Sequence, residues 1–224
     1  MATRHEEKYI ISYRQYAELK SRAMQLLTPD SHGRMGNYVI TSLYYDDPLD
    51  HALYEKLDGL PEHRKFRIRT YDCTDRIIKL ERKDKHGILT EKTSASLTRD
   101  EIPLLDGVNT PLSAFSGTAF DLAAEIQSTN LRPVVTVRYT RDAFFFQGTD
   151  LRLTFDTNLE VIEPNPEALF SETIHGLPVL DANSVIMEVK YGKYVPSFVR
   201  KFINVPCKQL SVSKYALCRE ARLI

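Results

Sequence analysis

One charged stretch organises this chain, and over residues 65–83 it reads KFRIRTYDCTDRIIKLERK. In its first half, Lys65, Arg67 and Arg69 alternate with apolar or uncharged residues. Side chains in a strand point to opposite faces in turn, so this alternation predicts a strand with one cationic face. The four residues from Asp72 are predicted to form a turn into a second strand. The charged face of that second strand carries Lys79, Glu81 and Lys83.

A half-solvated antiparallel sheet shows the same alternation of polar and apolar residues, and such sheets are common. The sign of the charges argues against this reading, because three cations follow one another on the first strand. Like charges placed side by side repel unless an anion lies between them. The hairpin therefore indicates part of an anion-binding site, with the solvated sheet as the alternative.

Composition limits where such a site can come from. The chain has 224 residues, with 30 Lys plus Arg, 30 Asp plus Glu and a net charge of zero. A neutral chain gives no support to non-specific nucleic-acid binding, so basic sites must be local. Three cysteines are too few for a disulfide framework, and no signal peptide or 18-residue apolar run is present. We expect a cytoplasmic protein that does not insert into a membrane. A membrane-protein partner is expected only if the protein works at a membrane.

The remaining elements follow from hydrophobic spacing, capping residues and turn residues. A capping box at Ser12 and Gln15 begins one helix, and Asn109-Thr110-Pro111 is predicted to begin another. Strands are predicted at 4–11, 38–45, 65–71, 76–83, 90–93, 133–141, 143–146, 151–156 and 185–191, with a short one at 172–174. Helices are predicted at 13–27, 49–57, 112–127, 196–202 and 214–224.

Several strands carry ionisable groups on one face and apolar groups on the other, far apart in the chain. A flat sheet with helices shows this pattern too, but a closed barrel with a polar lumen explains it better. We therefore expect an α+β fold, an eight-stranded antiparallel β-barrel with flanking helices, in a single domain over residues 1–224.

Such a lumen would collect cations and carboxylates from distant segments. Phosphate chains suit crowded cations, and carboxylates among them could pair with the cations or hold Mg²⁺ or Mn²⁺. No HExxH, P-loop, GxGxxG or GxSxG motif points to other chemistry. The expected lumen cations are Lys8, Lys65, Arg67, Arg69, Lys79, Lys83, Arg141 and Lys190. The expected lumen carboxylates are Glu6, Glu81, Asp156 and Glu188.

Nine short motifs spread over the chain give it a family resemblance. They are Glu6-x-Lys8-Tyr9, Ser42-x-Tyr44-x-Asp46, Arg64-x-x-Arg67-x-Arg69-x-Tyr71, Leu80-Glu81-x-Lys83, Glu91-Lys92, Tyr139-x-Arg141, Asp156-Thr157, Met187-Glu188-x-Lys190 and Ser213-Lys214-Tyr215. In this order they resemble VTC domains, the polyphosphate polymerase domains of the vacuolar transporter chaperone type. Those domains are triphosphate tunnel metalloenzymes, alongside the CYTH phosphatases.

The resemblance implies a tunnel that holds ATP and a growing polyphosphate or a triphosphate, with Mn²⁺ or Mg²⁺ ligated by Glu188. It implies phosphate contacts by Lys8, Arg67, Arg69, Lys83, Lys92, Tyr139, Arg141, Lys190 and Lys214. With the lumen positions added, the expected catalytic residues are Arg67, Arg69, Arg141 and Lys83. The expected phosphate-binding residues are Lys8, Lys65, Lys79, Lys92, Tyr139, Lys190 and Lys214.

Two positions depart from the family pattern. Arg4 stands where hydrolytic relatives carry the first Glu of Glu-x-Glu-x-Lys, which argues against a CYTH hydrolase. Ser211 stands where eukaryotic polymerases carry an extra basic residue. The sequence thus favours transfer of the ATP γ-phosphoryl group to polyphosphate. A triphosphatase of the same fold and a non-catalytic polyphosphate sensor remain as alternatives.

Overall fold

A computed structural model describes residues 5–31, 36–87, 89–192, 197, 200 and 213–223. Its strands are β1 (His5–Ser12), β2 (Thr28–Pro29), β3 (Asn37–Asp46), β4 (Glu62–Tyr71), β5 (Thr74–His86), β6 (Leu89–Ser96), β7 (Arg132–Phe145), β8 (Arg152–Ile162), β9 (Leu177–Pro178) and β10 (Ser184–Tyr191). Its helices are α1 (Tyr13–Leu26), α2 (His51–Leu57), α3 (Gly117–Ser128) and α4 (Lys214–Leu223). Short 3-10 turns span Arg99–Leu104, Leu112–Ala114 and Pro166–Leu169.

The strands form one mainly antiparallel sheet, so the expected α+β class is confirmed. The paired order is β1-β10-β8-β7-β3-β4-β5-β6, with β2 on β7 and β9 on β8. At the two ends of this order, β1 and β6 each have a partner on one side only, and no pairing joins them within the described residues. The predicted closure of the eight long strands into a barrel is therefore not confirmed. No described helix is long and apolar enough to cross a membrane.

Contacts divide the chain into two compact units. The first unit contains Met1–Val39, Tyr139–Leu159 and Pro178–Ser213, and the second contains Ile40–Arg138, Glu160–Leu177 and Lys214–Ile224. Strands β3 and β7 each contribute residues to both units. A single domain over residues 1–224 stays a prediction.

In the first unit, helix α1 covers the apolar face of strands β1, β8 and β10. The predicted capping box begins this helix, with the Ser12 and Gln15 side chains each bonded to the other's backbone. Its buried residues join alternate residues of the strands, as the period-two pattern requires. This core includes Ile11, Leu19, Ala23, Leu153, Phe155, Met187 and Val189.

In the second unit, helix α3 covers the apolar face of β4 and β5. Phe66, Ile68, Ile78 and Leu80 are buried against the α3 side of the core, which includes Leu122, Ala123 and Ile126. The charged residues of the hairpin alternate with these core residues, which confirms the predicted faces. The turn is tighter than predicted. Only Asp72 and Cys73 connect the strands, both with positive φ (50° and 49°), as a two-residue hairpin turn requires.

Several predicted boundaries were wrong. Residues 132–145 form one unbroken strand rather than two. The helix predicted from 112 begins at Gly117, because the Asn109–Pro111 segment leads only into a 3-10 turn. No strand forms at 172–174. The helix predicted at 196–202 lies mostly outside the described residues.

Within the second unit, a buried carboxylate connects helix α4 to strand β3 and helix α2. Asp46, 1% exposed, accepts the backbone N–H groups of Ala52 and Leu53 at the start of α2 and the Tyr215 hydroxyl of α4. Arg219 of α4 bonds to Asp50 at 2.8 Å. Asp46 and Tyr215, which belong to two sequence motifs far apart in the chain, thus meet in one hydrogen-bond network.

Replacing Tyr215 by Phe should destabilise the protein by about 1–3 kcal/mol, because a buried carboxylate loses a hydroxyl donor. Urea unfolding at pH 7 measures this change. The matched control is Tyr54→Phe on helix α2. Tyr54 is 54% exposed, so the loss of its hydroxyl group should change the free energy of unfolding little. Equal effects of the two substitutions would contradict the network's role.

Candidate functional site

The second unit presents a sheet surface, here called the cationic face, that is built from register-paired residues. Lys65 on β4 pairs with Lys83 on β5, which pairs with Lys92 on β6. The next row pairs Arg67 with Glu81, and the row after it pairs Arg69 with Lys79. The seven residues of the cationic face are therefore six cations, Lys65, Arg67, Arg69, Lys79, Lys83 and Lys92, and one carboxylate, Glu81.

The row of three lysines is the feature that a solvated sheet explains least. Directly opposed residues on neighbouring strands have Cβ atoms about 4.5–5.5 Å apart, and like charges in such pairs destabilise the sheet. Lys65, Lys83 and Lys92 occupy such positions across three adjacent strands. An anion held over the row would remove this repulsion. The register therefore supports the anion-site reading that the sequence left open.

Glu81 partly neutralises the cationic face. It is 2% exposed, lies 2.7 Å from the Arg67 guanidinium through Oε2, and forms an ion pair with Lys92 through Oε1. Burial would raise the pKa of the Glu81 carboxyl, but Arg67, Arg69 and Lys92 together lower the pKa to about 2. Glu81 is therefore ionised at neutral pH and forms ion pairs with Arg67 and Lys92.

The pKa of Tyr44 on β3 shows the effect of the positive charge on this surface. Its hydroxyl accepts a hydrogen bond from Arg67 Nη1 at 2.9 Å. Burial would raise the pKa of the Tyr44 phenol, but the charges of Arg67, Arg69 and Lys214 outweigh burial and lower it. Lys214, the first residue of α4, therefore lies near enough to add to the field of the cationic face.

Three further cations of the cationic face contact an aromatic ring or a hydroxyl group. The Lys65 ammonium lies 5.3 Å from the centre of the Tyr215 ring, and Arg69 Nε donates to Ser42 Oγ at 3.3 Å. Lys79 Nζ donates to Ser96 Oγ at 2.8 Å. Hydroxyl partners carry no charge, so they leave the positive charge of Arg69 and Lys79 available to an anion.

The first unit presents a different arrangement, here called the Glu188 cluster and made of Glu6, Lys8, Tyr139, Arg141, Asp156, Glu188 and Lys190. Lys8 Nζ lies 2.7 Å from Glu6 and 4.0 Å from Glu188. Lys190 Nζ lies 3.6 Å from Glu6 and 3.2 Å from Glu188. Two carboxylates thus share two ammonium groups, so this cluster is nearly neutral where the cationic face is not.

Arg141 holds the buried end of the Glu188 cluster. Its guanidinium donates to both oxygens of Asp156 at 2.6 and 2.8 Å, and Nη2 lies 3.4 Å from Glu188. The Tyr139 ring centre is 5.3 Å from the guanidinium carbon. Burial would lower the pKa of Arg141, but Asp156, Tyr139 and Glu188 raise it well above its usual value. Arg141 is therefore always charged and rigidly oriented.

The Glu188 cluster fits a hard metal ion that completes its shell from phosphate. Among the described residues, no group of three or more His, Cys, Asp or Glu could hold a metal by itself. Mg²⁺ needs less from the protein, because it is usually bound by one or two carboxylates together with phosphate oxygens and water. Glu188 and Glu6, which meet at the same ammonium groups, are carboxylates of this kind.

Two residues absent from the predicted site share the polar face of the first unit. Arg152 on β8 pairs in register with Lys190, and Thr154 pairs with Glu188. Arg152 bonds to Asp30 at 2.7 Å and to Tyr38 at 3.0 Å. Their alternation with Leu151 and Leu153 in the sequence was the signal that could have found them.

The predicted site residues thus divide between the two units. Lys8, Tyr139, Arg141, Glu188 and Lys190 belong to the first unit, and Lys65, Arg67, Arg69, Lys79, Lys83, Lys92 and Lys214 belong to the second. Within each unit the structure brings most of them onto one polar surface. That the two sets line one cavity stays a prediction, as do the individual catalytic and binding roles.

Two solved structures have a fold similar to that of this chain. A putative adenylate cyclase from Bacillus halodurans matches with a TM-score of 0.54 at 14% identity, over 95% of this chain and 94% of that one. A protein from Pyrococcus horikoshii matches with a TM-score of 0.52 at 13% identity, over 98% and 99%. At such identities the likeness shows a shared fold alone.

The family model for the VTC domain matches residues 3–222, so this chain belongs to the VTC domain family. The resemblance found in the nine motifs is thereby confirmed. A search of curated proteins finds no match.

The depressed pKa of Glu81 predicts how its contribution to stability depends on pH. A shift from 4.5 to about 2 corresponds to about 3 kcal/mol, which is fully present above pH 4.5 and is lost as pH falls toward 2. Glu81→Gln should therefore be less stable than wild type by about 3 kcal/mol at pH 6 and by about 1 kcal/mol at pH 3.

Urea unfolding of both proteins between pH 6 and pH 3 measures this difference. Glu167→Gln is the control, because that carboxylate is 67% exposed in its pair with Arg99 and should show no such trend. A Glu81→Gln deficit that stays constant between pH 6 and pH 3 would refute the assigned ion pairing.

Proposed function

We propose that this protein is a metal-dependent polyphosphate polymerase that transfers the γ-phosphoryl group of ATP to a growing polyphosphate chain. The chain would run through a cationic tunnel formed by closure of the eight long strands. The observation that carries this proposal is the row of Lys65, Lys83 and Lys92 in the cationic face, with one carboxylate among six cations. Membership of the VTC domain family supports the same reaction.

The charge pattern favours a compact polyanion over nucleic acid. The whole chain has zero net charge, which gives no support to non-specific attraction to a nucleic-acid backbone. Six cations are nevertheless clustered locally on one sheet face. Phosphate chains carry about one charge per phosphate at short spacing, and Arg forks and Lys ammonium groups both bind phosphate oxygens well.

In the proposed reaction, a terminal oxygen of the acceptor polyphosphate attacks the γ-phosphorus of ATP. A new P–O bond forms, the bond between the γ-phosphorus and the β,γ-bridging oxygen breaks, and ADP leaves with that electron pair. The attacking oxygen is already anionic, so no general base is needed. Arg67, Arg69, Arg141 and Lys83 would stabilise the charge that spreads over the transferred group, while Lys8, Lys65, Lys79, Lys92, Tyr139, Lys190 and Lys214 would position the phosphates.

Glu188, with Glu6 beside it, would hold the Mn²⁺ or Mg²⁺ that this reaction class uses. The bound metal would neutralise phosphate charge and orient the phosphoryl group. The chain's own cations would keep their roles of binding and orientation. Lys8 and Lys190, which now contact both carboxylates, could turn toward phosphate oxygens once a metal takes the carboxylates.

We further propose a cytoplasmic location, ATP and polyphosphate or triphosphate as ligands, and a membrane-protein partner if the product crosses a membrane.

Incubation of the purified protein with ATP and Mn²⁺ should give ADP in step with long-chain polyphosphate. Gel staining for polymer and chromatography for ADP measure the two products in the same sample. ADP with only free orthophosphate would contradict the polymerase and identify a triphosphatase. Tight polyphosphate binding without turnover under any divalent metal would identify a sensor.

Arg69→Ala should lower polymer formation about a hundredfold or more, because a positioned cation that stabilises transferring phosphate is lost. Arg69 is the cleaner test than Arg67, whose loss would also break the ion pair to Glu81 Oε2. The matched control is Arg76→Ala on the same hairpin, an exposed residue on the opposite face of β5 from Lys79 and Lys83. Equal losses in the two variants would contradict the assignment of the cationic face.

A further inference from the structure

Thr154, in the middle of β8, carries a hydroxyl with no hydrogen-bond partner within the described part of the chain. The residue is 3% exposed and the hydroxyl oxygen itself is shielded from solvent. Buried polar side chains are nearly always hydrogen-bonded, and leaving one unsatisfied destabilises the folded state. Valine has the same shape and suits a strand equally well, so stability alone gives no reason for a hydroxyl here.

The surroundings of Thr154 suggest what the hydroxyl is for. Its register partner on β10 is Glu188, whose own partner on β1 is Lys8. Paired residues of antiparallel strands point to the same face, so the Thr154 hydroxyl lies beside the Glu188 side chain. The hydroxyl therefore adjoins the carboxylate assigned to the metal, on the polar side of the sheet.

In this structure the Glu188 carboxylate is drawn toward cations. Its oxygens lie 3.2 Å from Lys190, 4.0 Å from Lys8 and 3.4 Å from Arg141, and Thr154 is not bonded to it. A phosphate ligand would compete for those same three cations. A carboxylate released from them could turn and accept a hydrogen bond from the neighbouring hydroxyl, which satisfies both groups.

We propose that Thr154 is a positioning residue that donates a hydrogen bond to Glu188 in the metal- and phosphate-bound state and fixes the carboxylate for metal binding. The proposal rests on the proposed function in taking Glu188 as the metal ligand. Direct contact with the ligand is not proposed, because the hydroxyl is shielded. Groups that orient a metal ligand in this way typically change metal affinity about tenfold to a hundredfold when removed.

Thr154→Val separates a positioning role from a structural one. A positioning role predicts a higher melting temperature with weaker Mn²⁺ binding, whereas a structural role predicts a lower melting temperature. Removing an unsatisfied hydroxyl should raise the melting temperature of the metal-free protein by about 2–4 °C. The same change should weaken Mn²⁺ binding in the presence of tripolyphosphate about tenfold, measured by titration calorimetry. Thr154→Ser, which keeps the hydroxyl, should bind Mn²⁺ like wild type even though it loses a buried methyl group.

Thr110→Val is the matched control, because Thr110 carries the other buried hydroxyl without a partner among the described residues and belongs to the second unit. It should raise the melting temperature and leave Mn²⁺ affinity unchanged. Unchanged affinity in Thr154→Val, or a lower melting temperature, would overturn the proposal. If wild type itself binds no Mn²⁺ beside tripolyphosphate, the metal role of Glu188 fails first, and the role of Thr154 falls with it.

Discussion

Repulsion between the register-paired cations on β4, β5 and β6 is the main electrostatic constraint on the cationic face of the second unit. The apolar face of these strands is fixed by burial against α3, so Lys65, Lys83 and Lys92 cannot turn away from one another without exposing the core. The buried carboxylate of Glu81 offsets part of this repulsion through its ion pairs with Arg67 and Lys92. Such a surface is unfavourable when empty and favourable when it holds an anion, which is the behaviour expected of a binding site.

The Glu188 cluster of the first unit differs from the cationic face in its balance of charge. Its cations are matched by carboxylates, with Arg141 locked onto Asp156 and two lysines shared between Glu6 and Glu188. A neutral cluster has little attraction for phosphate alone, but it can accept a metal and phosphate together, because their charges also balance. In the proposed function the two units have different roles. The cationic face would supply charge for a phosphate chain, and the Glu188 cluster would hold a metal.

Strand alternation explains why so much of the site could be predicted from sequence. Every residue expected on the polar side of the hairpin lies there, because one buried face fixes the parity of a strand. Register was beyond reach, since it depends on a two-residue turn at Asp72 and Cys73 that the composition does not announce. Alternation could have placed Thr154 on the polar face, but its lack of a hydrogen-bond partner among the described residues depends on its three-dimensional neighbours. Barrel closure was inferred from the polar faces of the strands, and it is not confirmed. Alternation determines which face of each strand is polar, but it does not determine whether the two edge strands of the sheet pair with each other.

A crystal structure with Mn²⁺ and a non-hydrolysable ATP analogue would test the proposed polymerase site. We expect phosphate oxygens within hydrogen-bonding distance of Arg67 and Arg69 on the cationic face, and Mn²⁺ bound between the phosphates and Glu188. Phosphates bound away from the cationic face, or a metal held by residues other than Glu188, would contradict it.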